Sequence, residues 1–582
     1  MSATPLPPRA LELTEVEQRL LDAARRGEPL VLGQADPAEL AGTEDPSLCV
    51  RGEVLRDLLL GRHGELDPHG VRLAHARVTA PLDLDDVTSA VTFVLMDCAL
   101  PPVTCARAHL RSLYLLDCHM GTLHADALHT DDDLNLKGST LSGHGDLGVV
   151  RLIDTRIGGQ LDFDGVQITN TGTGPAVVAD RLHTDGNLSL QGATLSGNGD
   201  NGVVRLISAR IGRQLDFDGV QITNTGTGPA VDADRLHTDS DLSLEGATLS
   251  GSGALGVVRL LGARIGGQLD FDGVQITNTG TGPAVVADRL HTDSNLSLEG
   301  AALTGNGDNG VIRLLAARIG GQLDLDGVRI KNDGLLLSLF EAKVEGAVFL
   351  DPALICPDRA ETTGRPCPHS SRRVSVNDLT YPTLARSSWR QWLHLLACHT
   401  QVYAPQPFQH LAAVERASGH DANARAILIA QQDVLRRRAP EALGGRLARW
   451  RHWLWGWLGR YGYRAHRLVA ALLVVLAAAG ALGLAGGHLP TRPGHHAVER
   501  VAPPGAPATA SGVRCSPIEL IGLGIDRGLP LGATGVRTRC DIDTEPGRGQ
   551  AILAALWVLQ ALLWALATLT IASYTGLIRK PT

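Results

Sequence analysis

Aromatic side chains are scarce in this sequence: they make up 4 % of its 582 residues, whereas glycine occurs 67 times. A chain of this length contains several structural units. Few aromatic residues and many glycines favour a solenoid, whose thin core is filled by leucine, valine, isoleucine and alanine. The formal net charge of −8 is mild for this length, so no nucleic-acid partner is expected.

Signatures of enzymes are also missing from the sequence. No G-x-G-x-x-G follows a strand and opens a helix, and there is no C-x-x-C, G-x-S-x-G or H-E-x-x-H. Ligand spacings for haem or iron–sulfur clusters are absent as well. Residues 1–9 are rich in proline and contain no apolar run, so no signal peptide is predicted. The sequence therefore predicts no catalytic site and no cofactor.

The nine cysteines do not form one disulfide framework. Three of them fall on apolar repeat positions and are typical of small core residues: Cys98, Cys105 and Cys118. Cys356 and Cys367, with His369 close by, lack the spacing of a zinc site, so no metal site is predicted.

Internal repetition is the strongest pattern in the chain. The sequence Leu-His-Thr-Asp begins at Leu128, Leu182, Leu236 and Leu290, with 54 residues between copies. Each copy divides into two halves of 27 residues, because an apolar-x-apolar triplet recurs at that interval. The triplets begin at Leu161, Leu188, Leu215, Leu242, Leu269, Leu296 and Leu323. Such a triplet places two side chains on one face of a short strand.

Shorter steps within each half indicate how the chain turns. Between Phe93 and Ala125, apolar-x-apolar triplets follow one another every five residues. This interval is too short for a hairpin meander and fits a chain that turns a corner after each triplet, so that four triplets close one coil. This stretch resembles the pentapeptide-repeat proteins, and the resemblance implies a right-handed quadrilateral parallel β-helix. A β-sandwich of duplicated strands is the alternative, but it does not explain the five-residue step.

The predicted β-helix covers residues 67–350 and contains about ten coils. Loops such as Asn198–Gly202 and Thr225–Gly228 lengthen its later coils and should project at one corner. Residues 1–66 are predicted to form a helical cap, because Thr14 and Glu17 have the spacing of a capping box.

Helices are predicted after the β-helix. Residues 351–386 are rich in proline and are predicted to be a linker. Residues 387–446 form a predicted helical adaptor, with a helical hairpin made by Pro407–Ser418 and Asp421–Arg438. Residues 447–467 carry tryptophans at helical spacing among arginines, which is typical of an amphipathic helix in the membrane interface.

Two apolar runs, 468–487 and 551–578, are long enough to span a membrane. Arginines are concentrated before the first run, and Arg579 and Lys580 follow the second. The positive-inside rule therefore places both termini, the β-helix and the tail 579–582 in the cytoplasm, with the chain in the plasma membrane.

Residues 488–550 are then an extracytoplasmic loop. Cys515 and Cys540 lie in this loop, where the environment is oxidising, and they are predicted to form a disulfide.

Several segments resemble a second group, the bacterial membrane proteins with degenerate pentapeptide-like repeats that are often named "membrane-associated oxidoreductase". The matching segments are Val50–Gly61, Arg425–Gln432, Gly462–Arg464 and Tyr574–Arg579. The resemblance implies redox chemistry, whereas the residues themselves contain no cofactor motif.

Two columns of polar residues are predicted on the outside of the β-helix. The arginine ladder consists of Arg156, Arg181, Arg210, Arg235, Arg264, Arg289 and Arg318. A neighbouring acidic ladder includes Asp162, Asp164, Asp216, Asp218, Asp270 and Asp272. The two ladders either solvate the coils and pair across a corner, or one of them binds a charged polymer or a protein. Repeated aspartates do not indicate a glycosidase, since catalytic carboxylates occur once in a shaped cleft.

The sequence thus favours a membrane-tethered, cytoplasmic-facing scaffold or binding module over an enzyme. Its expected partners are the lipid bilayer and an anionic or protein partner on the β-helix surface. An oxidoreductase and a sensor that relays an extracytoplasmic signal are the alternatives.

Overall fold

A computed structural model describes residues 11–305, 310–363, 367–501, 511–529 and 535–574. The chain divides into two compact units, Met1–Gly419 and His420–Thr582.

The first unit is a parallel β-solenoid of about 11 turns, which confirms the predicted fold class. Each coil contains four short strands separated by corners. In one coil these strands are Arg156–Ile157, Leu161–Asp162, Gln167–Asn170 and Val177–Val178. We number the four faces of the solenoid 1 to 4 in that order.

The strands of each face stack in parallel from coil to coil. Face 1 contains His129–Thr130, Arg156–Ile157, His183–Thr184, Arg210–Ile211, His237–Thr238, Arg264–Ile265, His291–Thr292, Arg318–Ile319 and Lys343–Val344. Face 2 contains Leu30–Val31, Val71–Ala74, Leu134–Asn135, Leu161–Asp162, Leu188–Ser189, Leu215–Asp216, Leu242–Ser243, Leu269–Asp270, Leu296–Ser297, Leu323–Leu325, Ala347–Leu350 and Thr383–Ala385. Two longer strands, Thr88–Met96 and His109–Leu116, run through both of these faces.

The other two faces are built in the same way. Face 3 contains Cys49–Arg51, Arg77–Thr79, Ala99–Leu100, His119–Met120, Thr140–Gly143, Gln167–Asn170, Thr194–Gly197, Gln221–Asn224, Thr248–Gly251, Gln275–Asn278, Ala302–Thr304 and Arg329–Lys331. Face 4 contains Leu82–Asp83, Val103–Thr104, Leu123–His124, Val150–Arg151, Val177–Val178, Val204–Arg205, Val231–Asp232, Val258–Arg259, Val285–Val286, Ile312–Arg313, Leu335–Ser338 and Arg373–Ser375.

The strand register explains the two sequence periods. In the early coils His109 pairs with His129, so four five-residue steps close one coil. In the later coils Arg156 pairs with His183, and six of the seven additional residues of the 27-residue repeat lie in loops between faces 3 and 4.

The core is a stack of apolar side chains along the axis of the solenoid. Phe163, Phe217 and Phe271 are each 1 % exposed, and Leu190 and Leu244 occupy the equivalent positions in the coils between them. Because every coil covers the one beside it, burial in one coil depends on its neighbours.

The loops between faces 3 and 4 are held by buried asparagines. The Nδ2 atom of Asn224 donates to the carbonyls of Gly199 and Pro229 at 3.0 and 2.9 Å. Its Oδ1 atom accepts from the backbone N–H of Gly226 at 2.8 Å. One side chain thus satisfies backbone groups that the loop would otherwise leave unpaired.

Helices cover both ends of the first unit. They are α1 (Glu15–Arg26), α2 (Pro37–Leu40), α3 (Gly52–Leu59), α4 (Trp389–Cys398) and α5 (Gln406–Ala417), with one-turn 3₁₀ helices at Pro46–Leu48 and Pro352–Leu354. Thr14 and Glu17 form the capping box of α1.

Two predicted boundaries require correction. The cap over 1–66 contributes the strands Leu30–Val31 and Cys49–Arg51 to the solenoid. Residues 351–386 are not a linker, because Arg373–Ser375 and Thr383–Ala385 pair with strands of faces 4 and 2. Prolines and the loss of the five-residue step hid this last coil, although Val374 is buried as a core residue should be.

The second unit contains the remaining helices of the described chain. They are α6 (Asp421–Arg438), α7 (Arg446–Gly459), α8 (Ala465–His488), α9 (Pro517–Gly528) and α10 (Gly547–Tyr574), with 3₁₀ helices at Pro440–Leu443 and Val536–Thr538. The adaptor predicted over 387–446 is therefore divided between the two units. Two helices, His466–His488 and Gly547–Tyr574, are long and apolar enough to cross a membrane. The predicted tail 579–582 lies outside the described residues.

The predicted loop 488–550 contains a folded segment rather than a simple connection. Val498–Arg500 and Cys540–Ile542 form an antiparallel pair, and Cys515 is bonded to Cys540. Helix α9 lies against α8 so closely that a Cβ atom on Gly483 would be 2.3 Å from the carbonyl oxygen of Leu520. The segment is thus held by a disulfide and by glycine-mediated helix packing.

Candidate functional site

The seven predicted ladder arginines lie in two adjacent columns of the solenoid. The strand column, on face 1, contains Arg156, Arg210, Arg264 and Arg318, which alternate from coil to coil with His183, His237 and His291. The corner column, at the turn from face 4 to face 1, contains Arg181, Arg235 and Arg289. Equivalent arginines in either column are two coils apart, a distance of about 9.5 Å at the usual strand spacing.

The corner arginines have left-handed backbone conformations. Arg181, Arg235 and Arg289 have φ values of 56°, 57° and 56°. The corner between faces 2 and 3 has similar φ values, but there every repeat coil has a glycine: Gly138, Gly165, Gly192, Gly219, Gly246, Gly273, Gly300 and Gly327. Since a side chain in this conformation costs about 1–2 kcal/mol, the backbone alone does not favour arginine at the corner.

Pairing distinguishes Arg181 from the other corner arginines. Arg181 donates from Nε and Nη2 to the carboxylate of Asp154 at 2.5 and 2.6 Å. Asp154 lies at the same corner as Arg181, one coil earlier. The equivalent residue one coil before Arg235 is Ser208, and one coil before Arg289 it is Gly262. Within the described chain, Arg235 and Arg289 consequently have no ion-pair partner.

Strand arginines in the same region are unpaired as well. Arg210 and Arg264 are exposed, and they form no ion pair with any residue of the described ranges. His237 lies between these two arginines on face 1, and its Nε2 atom is 3.0 Å from the carboxylate of Asp239. The Asp239 carboxylate therefore faces the histidine. Guanidinium groups stay charged at all physiological pH values, so the region carries uncompensated positive charge.

A hollow of about 590 Å³ opens between the two columns. We call it the arginine groove, and it is lined by Ser208, Arg210, Arg235, Leu236, His237, Gly262 and Arg264. An adjoining hollow of about 530 Å³ extends it towards Arg289. The small residues Ser208 and Gly262 at the corner leave this space open. Converging guanidinium donors can form bidentate, charge-assisted hydrogen bonds with carboxylates.

The chain has no match among models of known protein families, among curated proteins or among solved structures. Both family resemblances therefore remain predictions.

The acidic ladder does not neutralise the arginine groove. Asp164, Asp218 and Asp272 accept hydrogen bonds from serines one coil further on, which are Ser189, Ser243 and Ser297. Burial raises the pKa of Asp162, Asp216 and Asp270, and the next aspartate in each strand adds repulsion. The acidic columns thus form contacts along their own face.

Sequence reasoning missed a third set of charges, on face 4. Arg151, Arg205, Arg259 and Arg313 each pair with an aspartate of the preceding coil, namely Asp126, Asp180, Asp234 and Asp288. The Arg205–Asp180 distance is 2.6 Å, and both side chains are mostly buried. An arginine that recurs every 54 residues, 25 residues after an aspartate, is the signal that would have predicted these pairs.

Sequence reasoning also misjudged the surroundings of Cys356 and Cys367. His369, which is close in sequence, has its Nε2 atom 3.3 Å from the Asp358 carboxylate. The histidines that come together with the two cysteines are His394 and His399, which lie further along the chain.

Proposed function

We propose that this protein is a membrane-tethered scaffold or binding module that faces the cytoplasm and binds an acidic protein segment in the arginine groove. The observation that carries this proposal is the set of four arginines without ion-pair partners in the described chain, Arg210, Arg235, Arg264 and Arg289, around the arginine groove and the hollow that adjoins it. Two of them, Arg235 and Arg289, lie at a corner where other coils have Asp154, Ser208, Gly262 or Ala316, so the left-handed corner does not itself require an arginine.

An acidic protein segment fits the groove better than a nucleic acid does. The groove is a local patch on a chain of net charge −8, and the acidic columns lie on the next face. A duplex carries one negative charge per about 1.7 Å and requires a long basic surface. The acidic columns would repel its phosphates. A short peptide with a few carboxylates can enter the hollow without meeting them.

Features of the second unit support the membrane tether. Two helices have the length and hydropathy of membrane spans. On α7, Leu447, Trp450, Trp453 and Trp457 are 78, 57, 46 and 66 % exposed. Tryptophans exposed among arginines are typical of a helix in the headgroup region, where lipid covers the rings. The arginines around α7 support a cytoplasmic location for this side of the membrane, by the positive-inside rule.

In-cell photo-crosslinking tests the proposal. A photoreactive amino acid replaces His237, which lines the groove, and crosslinked species are identified by mass spectrometry. We expect one abundant product with an acidic protein segment. This product should disappear when Arg210, Arg235, Arg264 and Arg289 are all changed to glutamine.

A matched control uses the ladder arginines outside the groove, Arg156→Gln and Arg318→Gln. These changes remove positive charge from the same face, and the crosslink should persist. A product that survives the fourfold change, or one that the control variant also loses, would contradict binding in the groove.

A further inference from the structure

Four potential metal ligands meet inside the first unit, at the end of the solenoid that precedes α4. They are Cys356, Cys367, His394 and His399, and their ligand atoms all lie within 4.8 Å of one another. The four residues are 0, 6, 2 and 0 % exposed. A buried cluster of two thiols and two imidazoles that have converged from separate segments requires a physical reason.

The distances within the cluster match tetrahedral coordination. The Sγ atoms of Cys356 and Cys367 are 3.7 Å apart, and Cys356 Sγ is 3.6 Å from His394 Nε2. Zinc–sulfur bonds of about 2.3 Å and zinc–nitrogen bonds of about 2.05 Å at a tetrahedral angle require about 3.8 Å between sulfurs and about 3.6 Å between sulfur and nitrogen. The protein therefore already holds Cys356 Sγ at ligand-to-ligand distances from Cys367 Sγ and His394 Nε2, and the ligand atom of His399 lies within 4.8 Å of these three.

Hydrogen bonds orient both imidazole rings for metal binding. The Nδ1 atom of His394 lies 2.5 Å from the carbonyl oxygen of Thr362, and Nδ1 of His399 lies 2.7 Å from that of Arg372. A carbonyl only accepts, so Nδ1 carries the proton and Nε2 keeps its lone pair in each ring. Metal-binding histidines are usually fixed in this way by backbone carbonyls.

One buried nitrogen lacks a hydrogen-bond partner. The Nε2 atom of His399 is inaccessible to solvent and has no partner among the described residues. A buried acceptor without a partner destabilises the folded state. A metal ion that accepts this lone pair would remove the cost.

We propose that Cys356, Cys367, His394 and His399 bind one zinc ion. A tetrahedral set of two sulfurs and two nitrogens selects zinc, and four protein ligands leave no open position, as in structural sites. Binding releases the two thiol protons. The dication and two thiolates then form a neutral centre, which can be buried without net charge.

The zinc ion would connect helix α4 to the last coil of the solenoid. Cys356 follows the turn Pro352–Leu354, while His394 lies in α4 and His399 ends it. The backbone N–H of Val374, in the last strand of face 4, donates to the carbonyl of His399 at 2.8 Å. The open end of a solenoid must be covered, and this centre connects the covering helix to that end.

Metal analysis of the full-length protein, purified in detergent without added chelator, tests the site. We expect about one zinc per chain. Exchange with Co²⁺ should give the visible bands of tetrahedral cobalt and a thiolate charge-transfer band. Cys356→Ser and His399→Gln should each lose the bound metal. His369→Gln, which changes a histidine outside the cluster in the same segment, should retain it.

A measurement on the unaltered protein covers the case in which these variants fail to fold. Removal of zinc by a chelator should lower the melting temperature and make Cys356 and Cys367 reactive towards an alkylating reagent. Absence of stoichiometric metal together with no cobalt uptake would overturn the proposal. A Cys356–Cys367 disulfide in freshly isolated protein would also overturn it, and so would folded ligand variants that keep the metal.

Discussion

Arg235 and Gly262 occupy the same corner position in neighbouring coils, with φ values of 57° and 67°. The fold therefore accepts either residue in one left-handed conformation. Glycine adopts it without steric cost, whereas arginine does not. The small residues Ser208 and Gly262, in the coils before Arg235 and Arg289, leave the hollow open beside guanidinium groups that have no ion-pair partner in the described chain.

Replacement of Arg235 by glycine should leave stability unchanged or raise it by up to about 1 kcal/mol, because the strained side chain is removed. Thermal melts followed by far-ultraviolet circular dichroism would measure this. Gly219→Ala is the matched control at the other corner, where a Cβ atom meets nothing within 4 Å. It should lose about 1 kcal/mol through backbone strain alone. A clear loss of stability in Arg235→Gly would show that the arginine supports the fold.

Truncation of Phe217 should destabilise several coils. Phe217→Ala is expected to cost about 3–5 kcal/mol through lost burial and a cavity, and the damage should spread because each coil covers the next. Phe217→Leu should be tolerated far better, since Leu190 and Leu244 fill this position in the adjacent coils. Hydrogen exchange with mass spectrometry would locate the effect. Equal exchange in the alanine variant and the parent would mean that Phe217 does not face the core.

Asn224→Ala should destabilise the loops between faces 3 and 4. The change removes three hydrogen bonds to buried backbone groups, and we expect a loss of about 2–3 kcal/mol. Faster amide exchange in the adjoining loops should accompany it. Thr223→Ala, at the exposed neighbouring position, removes only an exposed hydrogen bond from Ser250 and should change both quantities far less. Similar melting of both variants would indicate that the asparagine does not organise the loops.

Asp216→Asn should stabilise the protein at pH 7, and the gain should fade as the pH falls. Burial raises the pKa of Asp216 in the folded chain, so its ionised form is less favourable there than in the unfolded chain. This cost is fully present above the folded pKa and vanishes below the unfolded pKa of about 3.9. Melts of both proteins between pH 7 and pH 4 would measure the difference. A gain that grows on acidification would contradict this sign.

Asp218→Asn provides the control for that series. Asp218 accepts hydrogen bonds from the Ser243 hydroxyl and, at 2.9 Å, from the backbone N–H of Glu245. An amide cannot serve both donors as well as a carboxylate does, so this variant should melt at a lower temperature at pH 7. The two neighbouring aspartates are thus expected to respond in opposite directions.

Reduction of the Cys515–Cys540 bond should loosen the segment between α8 and α10. The bond encloses 24 residues, and its loss should cost about 3 kcal/mol locally. Non-reducing digestion of protein from its native membrane should yield the linked peptide. An impermeant thiol reagent, applied to intact cells after reduction, should label these two cysteines but not a cysteine introduced at Gln221, an exposed position of the solenoid. Labelling of solenoid cysteines would reverse the proposed orientation.

The sequence by itself determines the solenoid. The five-residue step, the 27-residue repeat and the apolar triplets are local patterns, and each coil repeats the contacts of its neighbour. Side chains such as Phe217 can therefore be placed in the core from their period alone. The repeat pattern did not predict the last coil, because the residues on either side of the strand that contains Val374 lack the repeat.

Tertiary structure alone decides how the polar residues combine. The sequence repeat identifies every ladder arginine. Only the strand register places Arg235 next to Ser208 of the preceding coil, where it has no ion-pair partner in the described chain. Spacing rules for metal sites describe ligands within one local motif, whereas Cys356 and His394 are 38 residues apart and meet because α4 folds back over the end of the solenoid. Contacts between distant segments depend on how the chain closes on itself, and no short sequence pattern encodes that closure.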